Sequence, residues 1–219
     1  MGLFGKKKES QSIINLPDNF TDEEKKMVQR LCSYAPNIIA MLKSVLSEKN
    51  GTDMYVVLLY AAGLAGIACY EAASSQGKEM VIVECKNGKK YYMGDSINQY
   101  LHENKMSVSM FVMTVTNSSK ESLLEIIKNQ ASTIGSDSFV IENNIKPEDL
   151  YINVKKCWDG IKNNMTLEYC KNPDEWPVLY GIVLQNVILE SMKFVSKETL
   201  FNTSINVACA LSKIGEGSL

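Results

Sequence analysis

The stretch Met54–Ala73, MYVVLLYAAGLAGIACYEAA, constrains this chain more than any other. From Met54 to Tyr70 no side chain is charged. A helix that is apolar all round must be buried, either in protein or in lipid. Length separates the two cases. The uncharged run rises about 25 Å at roughly 1.5 Å per residue, short of a hydrocarbon core of about 30 Å. A longer span would carry Asp53 or Glu71 into lipid, and charged groups there are costly. The flanks also lack the basic cluster that anchors a span. The stretch therefore reads as the buried central helix of a helical domain, with no transmembrane span.

The helix is lopsided. At about 100° per residue, Ala61, Ala62, Ala65, Gly66, Ala68, Cys69, Ala72 and Ala73 share one arc, and Leu59, Tyr60, Leu64, Ile67 and Tyr70 the other. Small residues let a neighbouring backbone approach closely. The smooth face should thus meet another helix at short range. Gly63 and Gly66 each cost up to about 1 kcal/mol of helix propensity, which close packing offsets.

The rest of the chain follows from caps, turns and periodicity. Thr21 with Glu24 forms a capping box. Helical spacing then runs to about Lys49, with Pro36 inside it, where it must kink or split the helix. Asn50-Gly51 ends this helix, Thr52 or Asp53 caps the next, and the short connection makes the two antiparallel neighbours. Gly77 closes the central helix. Met80–Cys85, Asn87-Gly88 and Lys89–Met93 read as a hairpin, with Val83 opposite Tyr92 and Glu84 opposite Tyr91. A short helix spans 96–104. Residues 106–116 satisfy both strand and helix periods, with helix preferred. Ser118 with Glu121 caps a helix over 120–134, Pro147 starts another, Pro177 opens an apolar helix through Val195, and the last runs from Lys197 to Lys213. The expected fold is mostly α: a single irregular bundle of six to eight helices over 21–215, with one small β-hairpin at about 80–93. Residues 1–20 read as a flexible tail.

Chemistry is sparse in this sequence. His102 is the only histidine, which removes multi-histidine metal centres and HExxH sites, and its plain reading is a surface residue. Ser75-Gln76-Gly77-Lys78 fits S-x-x-K, but at a helix end and without the Lys-Thr-Gly that such enzymes need. There is no Walker loop, GxGxxG or EF-hand spacing. The acidic runs Asp22-Glu23-Glu24 and Glu148-Asp149 suit first helical turns. Gln185 reads as a helix-border residue, and Trp158 and Trp176 as core or interface anchors. No catalytic residue, metal ligand or cofactor is assigned.

A net charge of −2 argues against a nucleic-acid partner. The six cysteines are scattered and form no CxxC. They suit free thiols in a reducing, cytoplasmic setting, and no signal peptide is expected. The Asn, Lys and Ile usage associates with bacteria of low genomic G+C. The leading expectation is a non-enzymatic interaction module, such as an adaptor, accessory subunit or inhibitor, with a protein partner or self-association. One alternative is an enzyme or small-molecule binder with a pocket between the central helix and the hairpin, lined by Tyr60, Tyr70, Tyr91, Tyr92 and His102. Another is weak membrane-surface contact through Leu3, Phe4, Lys6, Lys7 and Lys8.

Overall fold

The computed structural model describes residues 19–47, 52–85, 88–136, 138–141, 145–215 and 217–218. Leu3, Phe4, Lys6, Lys7 and Lys8, on which the membrane expectation rests, lie outside them, as do Asn50, Gly51 and Asn87.

Helix α2 (Met54–Ser75) is the axis of the molecule. Asp53 caps it, its side chain accepting from Tyr55 N at 2.8 Å. Gly77, at φ +62°, lets the chain turn back so that Lys78 N reaches Ala73 O at 3.1 Å, a C-terminal arrangement that glycine permits at little steric cost. By length and composition α2 could cross a membrane, yet 83% of its most apolar window is buried inside the protein. The neighbours that bury it are mainly α8 (Trp176–Ser191) and α9 (Lys197–Leu211), with α6 (Pro147–Ile161) beside them.

The smooth face does what its small residues allow. A Cβ on Gly66 would run into the Ala208 carbonyl oxygen of α9 and lie 3.0 Å from Ser212 N. One on Gly63 would lie 2.8 Å from Leu211 Cδ2 and 3.0 Å from the Val154 methyls. Here the backbones of α2 and α9 approach within reach of backbone atoms, and glycine is the residue that fits.

Helix α1 (Asp22–Leu46) starts at the expected capping box, with Thr21 N donating to Glu24 Oε2 at 2.8 Å and Glu24 N to Thr21 Oγ1 at 3.2 Å. Pro36 does not split it. It lies chiefly along α8 rather than α2, tied by Arg30 to Glu175 at 2.6 Å and Lys43 to Glu190 at 2.5 Å, so α1 and α8 run side by side in the same direction. The ambiguous segment is helical: α4 (Val108–Thr116) packs between α8 and α9. Helix α5 (Lys120–Thr133) covers α9, capped by Ser119, which accepts from Ser122 N at 3.2 Å; the expected cap, Ser118, lies one residue too early. Gln185 is buried, not at a border, and its Nε2 donates to Phe111 O of α4 at 3.4 Å.

Strands β1 (Val81–Glu84) and β2 (Lys90–Met93) pair antiparallel. The register is one residue off expectation: Val83 faces Tyr91 and Ile82 faces Tyr92. Cys85 N donates to Lys89 O at 2.8 Å, which leaves three residues in the connection, and Gly88 sits at φ +81°. A three-residue loop closing on a left-handed glycine replaces the two-residue turn that Asn-Gly suggested. Among the described residues this hairpin is the only sheet.

After β2 the chain enters α3 (Asp95–Asn98) and passes without a break into a widened π-turn, Gln99–Glu103. A further π-turn, Lys162–Thr166, follows α6 and leads to the short α7 (Leu167–Tyr169). The two tryptophans stack edge to face at 6.0 Å between these elements, Trp176 donating Nε1–H to Cys170 O at 2.8 Å.

Candidate functional site

The five residues expected to line one pocket are dispersed. Tyr70 and Tyr92 meet edge to face at 5.1 Å between α2 and the hairpin, so the space expected there is occupied by their own rings. Tyr91 is buried; its hydroxyl donates to Glu148 Oε1 at 2.7 Å and its ring meets Phe139 at 5.5 Å. Burial pushes the Glu148 carboxyl up, but Lys89, 2.6 Å away, and Tyr91 outweigh it, and the net shift is downward. Tyr60 lies apart, towards Cys157 of α6, with burial raising its phenol. Of the five, His102 lines a cavity formed by the described residues.

That cavity, about 170 Å³ in volume, lies on the flank of the hairpin away from α2's bulky tyrosines. The end of β2 supplies Met93, α3 and its π-turn supply Asn98 and His102, α5 and the turn after it supply Ile127, Gln130, Ala131 and Ile134, and the end of α9 supplies Cys209 and Lys213; Phe139 completes the wall. Each contribution has a local cause. The π-turn adds a residue to the helical repeat, a distortion that often marks functional sites, and carries His102 towards α9. The α5 residues fall at helical spacing on one face. Lys213 follows the C-terminal end of α9, where the helix dipole favours a cation.

His102 is part-buried rather than on the surface, and both ring nitrogens are engaged. Nδ1 lies 2.7 Å from Ser109 Oγ, and Ser109 donates its hydroxyl hydrogen to Leu101 O at 2.7 Å. A serine has one proton to give, so His102 Nδ1 must be the donor to Ser109. Nε2 is then unprotonated and accepts the Cys209 S–H at 3.3 Å. The hydrogen-bond pattern thus fixes the tautomer.

This chain resembles a nucleophile with its base, but its electrostatics oppose ionisation. Burial, and then the Lys213 charge, push the His102 pKa down from 6.5 to about 3. Burial pushes the Cys209 thiol up to about 12. With the two pKa values so far apart, proton transfer from sulfur to nitrogen is strongly uphill, and the pair rests neutral. Its role is to finish the wall with satisfied groups.

Two other wall residues are not satisfied in this way. Lys213 is half-buried, and burial lowers its pKa. Its Nζ donates to Asn98 Oδ1 at 3.0 Å, and among the described residues no carboxylate lies within 4.0 Å of it. Gln130 donates Nε2–H to Asn206 Oδ1 at 3.0 Å, but its Oε1 is buried without a partner among the described residues. No group of three or more His, Cys, Asp or Glu side chains among the described residues could hold a metal ion.

The sequence pointed to His102 but not to its companions. Cys209 looked like one apolar-face cysteine among several, and Lys213 like an ordinary basic residue at a helix end. Gln130 and Asn98 had no distinguishing pattern. The loop through Phe139, which closes the cavity, carries no periodicity from which its position could be read. Comparisons with protein-family models, with curated proteins and with solved structures gave no match.

Proposed function

We propose that the protein binds a small molecule in the cavity between α3, α5 and α9. A single observation carries this reading: a half-open cavity of about 170 Å³ is walled mostly by apolar side chains, with a few polar groups, His102 and Lys213 among them, converging on it. Concave, mostly apolar sites with a few convergent polar groups are where small molecules bind. The volume sets the scale: a protein cavity of about 150 Å³ accommodates benzene, so the ligand is compact, of about six to eight heavy atoms.

Methyl NMR with a panel of compact ligands tests the proposal. Met93, Ile127 and Ile134 should shift on titration, while methyls of α1 stay still. Ala131→Leu, which fills the space, should abolish the shifts and leave the fold intact. A panel that moves none of the wall methyls, or moves them equally in Ala131→Leu, overturns the reading.

The expected interaction module remains a second reading, supported by a different place. Val45, Leu189 and Phe194 are 58%, 46% and 77% exposed near the C-terminal ends of the parallel helices α1 and α8. Lys43, Glu190 and Lys193 stand around the groove between those helices. An apolar centre with charges of both signs is self-complementary across a two-fold axis, so the occupant is a second copy. Light scattering should give a dimer that Phe194→Ser returns to monomer; a monomer at all concentrations ends this reading.

A further inference from the structure

We propose that the ligand of the cavity is a compact monocarboxylate, held with its carboxylate on Lys213 and its hydrocarbon body among Ile127, Ile134 and Phe139. The inference rests on the binding reading above and specifies the chemistry of that same site.

Lys213 sets the requirement. Burying an ammonium group without a counter-ion is costly, and proteins rarely do so without pairing it. Asn98 gives Lys213 one neutral acceptor, at 3.0 Å. An ammonium has three N–H donors, so acceptor demand remains. Among the cavity-lining residues Lys213 is the only charged one, and its described neighbours cannot neutralise it. The thiol of Cys209 stays protonated, and Cys69, the other nearby thiol, is also pushed up by burial. His102, neutral and already donating to Ser109, supplies no anion.

The complement to this wall is an anion with an apolar body. Phosphate and sulfate esters present several oxygens that need donors, and the apolar wall offers few. A dicarboxylate would bury a second, unpaired charge. A monocarboxylate places its one charge on Lys213 and lets the rest meet hydrocarbon. In low dielectric such a charge-assisted pair is far stronger than its neutral counterpart. The volume holds a chain or ring of about five or six carbons.

The test uses isothermal titration of the full chain with pentanoate, 2-hydroxypentanoate, pentanamide and 1-pentanol. The proteins are the wild type, Lys213→Met and Ala131→Leu, each first shown to be folded by circular dichroism. The acids should bind the wild type at least ten-fold more tightly than the amide or alcohol. Lys213→Met should lose that preference while still admitting the neutral compounds, and Ala131→Leu should admit none. Equal binding of acid, amide and alcohol, unchanged in Lys213→Met, overturns the carboxylate inference and leaves the cavity as a binding site. Failure of all four compounds to bind the wild type overturns the carboxylate inference, and the methyl titration above then decides separately whether the cavity binds anything.

Discussion

Two glycines three residues apart on one helix make opposite demands. Gly66 faces backbone, since the Ala208 carbonyl oxygen and Ser212 N occupy the space a methyl would need. Gly63 faces side chains instead of backbone, the flexible end of Leu211 and the two methyls of Val154, which need give by only a few tenths of an ångström. Gly66→Ala should therefore cost about 2–3 kcal/mol, because α9 must move as a body. Gly63→Ala should change stability by less than about 1 kcal/mol, its packing strain partly offset by helix propensity; urea unfolding of both variants checks the contrast. His102 gives a second test. Its folded pKa, about 3, lies below the ordinary 6.5, so the unfolded chain takes the proton first. Its contribution is complete above about pH 6.5 and is lost as pH falls towards 3, at up to about 1.4 kcal/mol per pH unit for one proton. The stability of His102→Gln should fall less steeply than that of the wild type between pH 6.5 and 4, and equal slopes would assign acid lability elsewhere. At this scale the sequence was half legible. The smooth face of α2 could be read from composition, since only small residues permit close approach. The environment of His102 could not, because it depends on a serine one helix away and a cysteine 107 positions away.

Helices were legible wherever caps and periodicity agreed, as at Thr21 and Pro147. The hairpin was legible in kind but not in register. Asn-Gly marked the turn, yet the pairing follows the glycine's left-handed backbone at the third loop position rather than the second. A one-residue slip exchanges the two faces of a strand, so the register decides which tyrosine is buried against Glu148. Gly88 holds this choice. Its φ is +81° and nothing lies within 4 Å of a Cβ built there, so Gly88→Val is opposed by backbone conformation alone. It should destabilise by about 1–2 kcal/mol, with the loss visible as weaker hydrogen-exchange protection at Tyr91 and Met93 but not in α2. Segment 106–116 was undecidable from period alone. Packing between α8 and α9 settles it, since an uncovered strand there would leave backbone groups unpaired.

Across the whole molecule, the helix that dominates the sequence is not the one that forms the candidate site. Helix α2 stabilises the bundle, and the cavity forms at its margin, where a hairpin end, a π-turn, α5 and the end of α9 converge. Sites assembled from four separate segments leave no local pattern, which is why the five expected residues disperse and His102 is the one that lines the described cavity. This division of labour yields a test that separates a structural lysine from a ligand-binding one. Lys213→Met keeps length and volume, removes a half-buried charge without a described counter-ion, and leaves only Asn98 Oδ1 short of a donor. Replacing such a charge by an apolar side chain is commonly stabilising, and sites kept for function are where natural chains forgo stability. The variant should be more stable than the wild type by about 1–2 kcal/mol at pH 7 in the absence of ligand. Saturating monocarboxylate should reverse the order. At a hundred times its Kd a ligand adds about 2.7 kcal/mol to the protein that binds it, so the wild type gains that amount while Lys213→Met gains little. Thermal unfolding of both proteins with and without 2-hydroxypentanoate measures the crossing. A Lys213→Met variant that is less stable under both conditions would make the lysine part of the scaffold.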